Sequence, residues 1–374
     1  MHIPLSGPDL GLEKNFLDKG ADKLPEVNDL SLGSSLEVFE HKMADYLGVD
    51  HAVSVNSGTS GLHLLVGAMD IGAGDEVITT PLSYTSSAHC MLSNEARPVF
   101  VDISSDTYHI DVNRIEAAIT ENTKAILPVD VFGQPAPMEE IKELAELYDL
   151  SVIEDAREAL GSKYRGKMAG TLGDAGVFSF FPNKQMISGK GGVIVTDDEE
   201  LAGRCRKMRA QALTERTRWL SHMNPGDDFR LDEVCGLLGN LQLERLDELL
   251  ERREQVARKY NELLADVEGV ETLRVREETS RMSWFVYVVM IDSGAESPDR
   301  DRVMQELRED GIGCIPYYTA IHLKPNYFLN FGYGEGDFPR AERAAGRSLS
   351  LPIYSSLAEK EIEYIVERLI RAPN

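Results

Sequence analysis

One stretch decides the fold: GDAGVFSFFPNKQMISGKGGVIVT, residues 173–196. Its apolar segments 177–181 and 193–196 predict two buried strands, joined by a short connection that contains Pro and Gly. Lys184 lies on this connection at a sheet edge, where open α/β sheets collect binding and catalytic groups. A partly desolvated lysine amine is able to form a Schiff base with a carbonyl. A solvated surface lysine is the alternative.

A second polar residue favours the Schiff-base interpretation. Asp155 ends the apolar segment LSVIED, residues 150–155, which predicts another buried strand. Pyridoxal 5'-phosphate (PLP) requires a lysine that holds its aldehyde and an acidic partner for its pyridine nitrogen. Lys184 and Asp155 together therefore predict a PLP site.

Short apolar segments alternate with longer amphipathic ones from about residue 40 to 196, which is typical of a mostly parallel sheet wrapped by helices. Seven strands are predicted, at residues 52–55, 76–80, 98–103, 125–131, 150–155, 177–181 and 193–196. A helix is predicted at 137–148, and one long helix at 232–264. Strands at 283–291 and 313–318, a helix at 299–309 and a last helix capped by Ser356 and Glu359 predict a smaller α/β domain.

Length and charge limit the classes of protein that fit. A chain of 374 residues with 42% hydrophobic residues is expected to form two domains, here residues 1–250 and 251–374. The net charge of −24 argues against a nucleic-acid groove. No apolar stretch approaches membrane-spanning length and no secretory leader is evident, so a cytoplasmic protein is expected. The four cysteines are widely spaced, and no metal site is expected.

An anion site is expected where NSGTSG, residues 56–61, opens a helix predicted at 62–69. Free backbone N–H groups from Gly58 onwards and the helix dipole attract phosphate, and the Thr59 and Ser60 hydroxyls add donors. Neither a Walker A motif nor a Gly-x-Gly-x-x-Gly fingerprint is present, so a cofactor phosphate fits, with Ser179 as a further donor. A simple N-cap is the alternative.

An aromatic residue follows the second predicted strand at the same sheet edge. This residue, Tyr84, is positioned to stack on a planar cofactor ring, or else to pack in the core with its hydroxyl in water.

Spaced motifs along the chain resemble the DegT/DnrJ/EryC1/StrS family of PLP-dependent nucleotide-sugar aminotransferases. The motifs are SGTS at 57–60, DEVITTP at 75–81, VxxFGQP at 129–135, EDA at 154–156, FSFxxxK at 178–184 and PYYxxIH at 316–322. The resemblance implies an α/β, fold-type I enzyme with a large domain that carries a mostly parallel seven-stranded sheet. It also implies a smaller C-terminal α/β domain and a homodimer with the active site at the interface.

The resemblance assigns roles to these positions. Lys184 forms the Schiff base and Asp155 partners the pyridine nitrogen. The phosphate or the ring of PLP contacts Gly58, Thr59, Ser60, Ser179 and Tyr84. The implied reaction moves an amino group from an amino acid, L-glutamate, to a keto group of a nucleotide-linked deoxysugar.

Three positions depart from the family pattern. Glu158, in DAREA, stands where many members have a Gln near the cofactor's phenolic oxygen. Asp228 replaces an Asn that reaches the neighbouring subunit's cofactor phosphate, while Arg230 is retained. Lys190 replaces a Glu, either as a cation for an anionic substrate or as a surface exchange.

Substrate contacts are expected from Arg230 and from a tyrosine-rich loop that carries Tyr317 and His322, although His322 fits a structural role as well. Two other functions stay open. One is a different PLP reaction, such as dehydration or decarboxylation, although dehydratase relatives replace the lysine with histidine. The other is a non-catalytic regulator that binds the cofactor or a sugar nucleotide.

Overall fold

The computed structural model describes residues 2–6, 34–210, 227–291 and 300–372. Its strands are β1 (His51–Val55), β2 (Glu76–Thr79), β3 (Arg97–Phe100), β4 (Thr123–Leu127), β5 (Ser151–Asp155), β6 (Lys163–Tyr164), β7 (Lys167–Met168), β8 (Ala175–Ser179), β9 (Gly192–Thr196), β10 (Val270–Thr272), β11 (Thr279–Arg281), β12 (Tyr287–Ile291), β13 (Ile315–Pro316) and β14 (Ser348–Leu351).

The α-helices are α1 (Ser34–Leu47), α2 (Gly58–Ala68), α3 (Ser86–Leu92), α4 (Val112–Ile115), α5 (Met138–Tyr148), α6 (Glu199–Met208), α7 (Glu233–Leu243), α8 (Leu246–Leu264), α9 (Arg300–Glu309), α10 (Pro325–Phe331), α11 (Pro339–Arg347) and α12 (Glu359–Arg371). Short 3-10 helices lie at Glu116–Ala118, Val131–Gly133 and Ile321–Leu323.

A seven-stranded sheet in the order β1-β9-β8-β5-β4-β2-β3 forms the centre of the fold. Strand β9 runs antiparallel to β1 and β8, whereas the other adjacent strands pair in parallel. The predicted α/β fold with a mostly parallel seven-stranded sheet is confirmed. Because the parallel strands end at one edge, the residues that follow Val55, Thr79, Leu127, Asp155 and Ser179 converge there.

Helices cover both faces of this sheet. Along β9, Ile194 packs in the cluster that contains Leu62 of α2, while Val193 packs in the cluster that contains Phe39 of α1. Successive residues of a strand point to opposite faces, so a strand buried on both sides is apolar throughout. Each fully buried Val, Leu or Phe contributes about 1.5–3 kcal/mol, which holds the strand ends firmly in place.

A second sheet, in the order β10-β12-β14-β13, lies in the C-terminal part with α9 and α11 against it, and β11 joins the β6–β7 hairpin. The Ile3 N–H donates to the Gly311 carbonyl over 2.9 Å, so the start of the chain lies beside this part. The division at residues 250 and 251 falls inside α8 and stays a prediction. Residues 7–33, within the first predicted domain and its N-terminal arm, lie outside the described residues.

The single helix predicted at 232–264 is wrong, since α7 ends at Leu243 and α8 begins at Leu246. The two helices have different partners. Gly239 of α7 packs so closely on α1 that a Cβ there would lie 2.7 Å from the Phe39 ring, whereas α8 packs on α12 and β10. The helix therefore breaks at a point with no Gly or Pro to signal it.

Other predicted boundaries also shift. The strand predicted at 283–291 begins only at Tyr287, because Trp284 has a left-handed backbone with φ of 49°. The strand predicted at 313–318 is limited to Ile315–Pro316, and Tyr318 is also left-handed, with φ of 60°. Helix α12 is capped at Ala358 instead of Ser356, and the Glu361 carboxylate accepts the Ala358 N–H over 2.9 Å. Over the described ranges, no helix combines the length and apolarity needed to span a membrane.

Candidate active site

A cavity of about 1490 Å³ opens at the carboxyl edge of the seven-stranded sheet. We call it the site cavity. Most residues predicted for the site line it: Gly58, Thr59, Tyr84, Asp155, Glu158, Ser179, Lys184, Asp228, Arg230 and Tyr317. The sheet supplies the ends of β1, β5 and β8, and the segment around β13 closes the opposite side.

Lys184 is buried at the floor of the site cavity, on the connection between β8 and β9. Its Nζ lies 3.8 Å from the centroid of the Phe285 ring and 3.9 Å from Glu158 Oε1. Burial lowers the pKa of Lys184 to about 8, although the nearby Glu158 carboxylate acts in the opposite direction. The amine is therefore partly neutral near physiological pH, as a nucleophile requires.

The lowered pKa of about 8 predicts how capture of added PLP by the PLP-free protein depends on pH. Because the neutral amine attacks, the rate is expected to fall about tenfold for each pH unit below that pKa and to level off above it. Stopped-flow absorbance on the Schiff-base band measures this rate. A rate that does not change between about pH 6 and pH 9 would contradict the assignment.

Asp155 is held by a two-point ion pair that the sequence did not reveal. Arg157 donates from Nε to Asp155 Oδ1 and from Nη2 to Oδ2, each over 2.6 Å, and Ser87 Oγ donates to Oδ2 over 2.6 Å. Burial by itself would raise the pKa of Asp155, but Arg157 and Ser87 outweigh it and the pKa lies below its ordinary value. The carboxylate is therefore ionised, as a partner of a pyridinium nitrogen must be.

The first turn of α2 lies at the edge of the site cavity, where the anion site is expected. Ser57 caps this helix by accepting the Ser60 N–H over 3.0 Å, and its Oγ lies 2.9 Å from Ser60 Oγ. Thr59 is exposed and lines the site cavity, whereas Ser60 does not, because its hydroxyl lies against the cap. A Cβ at Gly58 would lie 2.7 Å from Arg157 Cδ and 2.9 Å from Ser179 Cβ, so the close approach needs glycine.

Glu158 lies buried between Lys184 and the tyrosine-rich loop. Its Oε1 accepts a hydrogen bond from Tyr317 over 2.7 Å and another from the Tyr318 hydroxyl, while Oε2 accepts the Phe132 N–H over 3.0 Å. Three donors and a nearby ammonium therefore compensate the buried charge. Burial raises the pKa of Tyr317 and Tyr318, and the nearby Glu158 carboxylate raises it further, so both hydroxyls stay protonated.

Asp228 and Arg230 lie at the opening of the site cavity and form an ion pair with each other. The Arg230 Nε–Asp228 Oδ1 distance is 2.8 Å and the Nη2–Oδ2 distance is 3.1 Å. Hydrogen bonds from Arg230 hold the pKa of Asp228 below its ordinary value. The negative charge at this position is thus compensated within the chain. Tyr84, also at the opening, is 59% exposed, which leaves its ring available for stacking.

The structure does not bring His322 into the site cavity. The side chain is fully buried, its Nε2 lies 3.0 Å from Glu342 Oε1, and its ring packs edge-on against Phe338. The expected contact of His322 with substrate does not fit this position. Lys324, two residues further on, does line the site cavity and donates to Thr319 Oγ1 over 2.6 Å. Lys324 is not predictable from the sequence alone, because its only signal there is its position next to the tyrosine-rich loop.

Comparisons with known proteins agree with this geometry. The family model described as the DegT/DnrJ/EryC1/StrS aminotransferase family matches residues 13–370. The chain belongs to this family. It is 39% identical to GDP-perosamine synthase from Caulobacter vibrioides, over 91% of this chain and 90% of that protein. It is 37% identical to dTDP-3-amino-3,4,6-trideoxy-alpha-D-glucose transaminase from Micromonospora megalomicea subsp. nigra, over 90% and 89%.

A solved structure of a family member is similar as well. DesV of S. venezuelae in complex with a ketimine intermediate superimposes with a TM-score of 0.93 at 32% identity and covers 100% of this chain and 99% of that one. Membership of the family confirms the predicted aminotransferase activity and PLP as the cofactor. The residues present fit PLP, because the site cavity joins a buried amine, an ionised carboxylate and a glycine-shaped turn at a helix N-terminus.

Proposed function

We propose that the protein transfers the amino group of an amino acid, L-glutamate, to a keto group of a nucleotide-linked deoxysugar. The observation that carries the proposal is the buried Lys184 amine in one cavity with the ionised Asp155 carboxylate. The names of the two relatives support a nucleotide-sugar acceptor. We further propose that it acts in the cytoplasm.

Each residue has a defined task in this proposal. Bound PLP supplies an aldehyde for Lys184 and a ring that accepts electrons. Asp155 holds a proton on the ring nitrogen, and its low pKa keeps it ionised for this purpose. Lys184 would move one proton: its Nζ would take it from the donor α-carbon and give it to the cofactor carbon that carried the aldehyde, acting as base and then as acid. Thr59, Ser179 and the N–H groups of the α2 turn bind the phosphate.

The opening of the site cavity supports an anionic acceptor. Lys190 and Lys324 lie at this opening, where Arg230 is already paired with Asp228, in a chain whose net charge is −24. A diphosphate bridge in the acceptor would therefore meet the two lysine charges in an otherwise repulsive field. The volume of about 1490 Å³ exceeds what glutamate needs, and leaves room for a sugar and its nucleotide.

Lys324→Ala is expected to raise KM for the sugar nucleotide by about 10- to 150-fold, because a hydrogen bond to a charged group contributes about 1.5–3 kcal/mol. KM for glutamate in the first half-reaction should not change. Steady-state kinetics with each substrate varied in turn measures both constants. Lys167→Ala, on the exposed β7 strand, is the matched control and should affect neither. Equal increases in both KM values would argue against a role in acceptor binding.

A second copy of the chain beside the site cavity is also part of the proposal. Besides Tyr84, which is assigned to the cofactor ring, two apolar side chains that line the cavity are exposed in the single chain: Phe181 by 55% and Ile315 by 41%. Burial of such side chains against a partner stabilises an assembly. Sedimentation of the active enzyme is expected to give a dimer, and a fully active monomer would refute this part.

The experiment that tests the proposed function is a screen of keto-sugar nucleotides with the PLP-loaded protein and glutamate. Release of 2-oxoglutarate and the mass of the aminated sugar are measured together. We expect amination of at least one nucleotide-linked ketosugar. Loss of water or carbon dioxide from the substrate without gain of nitrogen would indicate the other PLP reactions. Binding of sugar nucleotide with no chemistry in the whole panel would indicate a regulator.

A further inference from the structure

Arg157 has no role in the proposed reaction, yet it forms an ion pair with Asp155, the carboxylate that the reaction needs. It is 8% exposed, lines the site cavity and forms the two-point ion pair with Asp155. Two further N–H groups are engaged: Nη2 donates to Ser87 Oγ over 2.8 Å, and Nη1 donates to Ser86 Oγ. The site therefore holds the guanidinium in a defined position.

The Arg157 side chain runs along the floor of the site cavity. A Cβ at Gly58 would lie 2.7 Å from Arg157 Cδ and 3.1 Å from Cγ, so the aliphatic part passes beside the first turn of α2. The guanidinium end then reaches Asp155. The side chain thus spans the distance from the proposed phosphate site to the proposed partner of the ring nitrogen.

The Asp155 carboxylate has few acceptor positions left. An ionised carboxylate offers about four lone-pair positions on its two oxygens. Here Oδ1 accepts from Arg157 Nε and, over 3.5 Å, from the Arg157 backbone N–H, while Oδ2 accepts from Arg157 Nη2 and from Ser87 Oγ. A ring N–H that binds this carboxylate therefore needs an acceptor position that Arg157 holds.

We propose that Arg157 is a displaceable counter-ion of Asp155. In the cofactor-free protein Arg157 pairs with Asp155. When PLP binds, at least one of the two Arg157–Asp155 hydrogen bonds breaks, so that Asp155 can bind the ring nitrogen of PLP. The inference rests on the proposed role of Asp155 as partner of that nitrogen. Arg157 is then a positioning residue. It keeps the buried carboxylate ionised and oriented before PLP arrives, and it weakens PLP binding because an existing ion pair must open.

A purely structural arginine would behave differently. It would stabilise the cofactor-free and loaded forms alike, so its removal would leave PLP affinity unchanged or reduce it. A displaceable counter-ion stabilises only the cofactor-free form. Its removal must therefore lower the stability of that form and strengthen PLP binding, and these opposite signs identify the role.

The test uses Arg157→Met, which retains the apolar length of the side chain beside Gly58, and Arg157→Ala as a second variant. Arg204→Ala, which removes the exposed Arg204–Asp70 pair far from the site cavity, is the control. Equilibrium titration with PLP gives Kd, and thermal unfolding of the cofactor-free protein gives Tm. We expect Kd to fall at least about tenfold and Tm to fall in both Arg157 variants, because one partner of a buried pair is lost. The control should change neither.

Each other result overturns the inference. An unchanged Kd means that Arg157 and PLP do not compete for Asp155, and a higher Kd means that Arg157 attracts the cofactor. An unchanged Tm means that the pair does not stabilise the cofactor-free form. Failure of the proposed function is recognised separately, because the unsubstituted protein would then give no aminated product in the screen of ketosugar nucleotides. If an aminated sugar forms and the Arg157 variants bind PLP like the parent, only the inference fails.

Discussion

Lys184→Ala is expected to reduce amino transfer by at least about 10³-fold, the upper part of the range for loss of a general acid–base, since the same amine is also the site of covalent attachment. Among the lysines that line the site cavity, Lys184 is buried beside Glu158, whereas Lys190 and Lys324 lie at the opening. Turnover is measured as 2-oxoglutarate released from glutamate in the presence of the ketosugar nucleotide.

Lys167→Ala is the matched control for this substitution. Lys167 is exposed on β7, and its removal should leave turnover within error of the parent. A small amine added to the Lys184→Ala enzyme is expected to restore part of the rate, because it supplies the missing base. A Lys184→Ala enzyme with parental turnover would refute the proposed mechanism.

Asp155→Asn is expected to have the second large effect, on both stability and turnover. Loss of the carboxylate leaves Arg157 buried without its charged partner, which costs about 3–5 kcal/mol of unfolding free energy. An amide also fails to hold a proton on the ring nitrogen, so turnover should fall by at least about 10²-fold. Urea unfolding of the cofactor-free protein and steady-state kinetics measure the two effects.

Asp70→Asn provides the comparison, because the Asp70–Arg204 pair is the same chemistry at an exposed site. Its effect on stability should stay below about 1 kcal/mol, since exposed ion pairs contribute little. Equal losses of stability in the two variants would contradict the buried pair described for Asp155.

The stability contribution of Asp155 also has a defined dependence on pH. Its pKa in the folded protein lies below the ordinary value, so folding favours the ionised form. The contribution is complete above the ordinary pKa and is lost as pH falls through the lower pKa of the folded state. The difference in unfolding free energy between the parent and Asp155→Asn should therefore shrink in acid.

The sequence allowed the sheet and the central residues of the site to be predicted. Buried strands are apolar throughout, and a charged residue at the end of one stands out, which is why Asp155 was recognised. Lys184 was recognised because a Pro- and Gly-containing connection between two such segments must lie at the sheet edge. Both signals depend on short stretches of sequence.

Features that depend on distant partners were not predictable. The break between α7 and α8 follows from packing on α1 and α12, which no local residue marks. His322 was assigned to substrate from its place in a motif, but Glu342 and Phe338 bury it elsewhere. Arg157 was visible two positions after Asp155, yet a charge near a site does not reveal whether it faces solvent or pairs within the site.

The central claim is that Lys184 forms the Schiff base with PLP and gives it up to an amino donor. Borohydride reduction of the PLP-loaded protein, with and without prior glutamate, followed by peptide mass analysis, tests it most directly. We predict reduced cofactor attached to the peptide that contains Lys184, and loss of most of that label after glutamate. Attachment to another lysine, or a label on Lys184 that glutamate does not remove, would contradict the account.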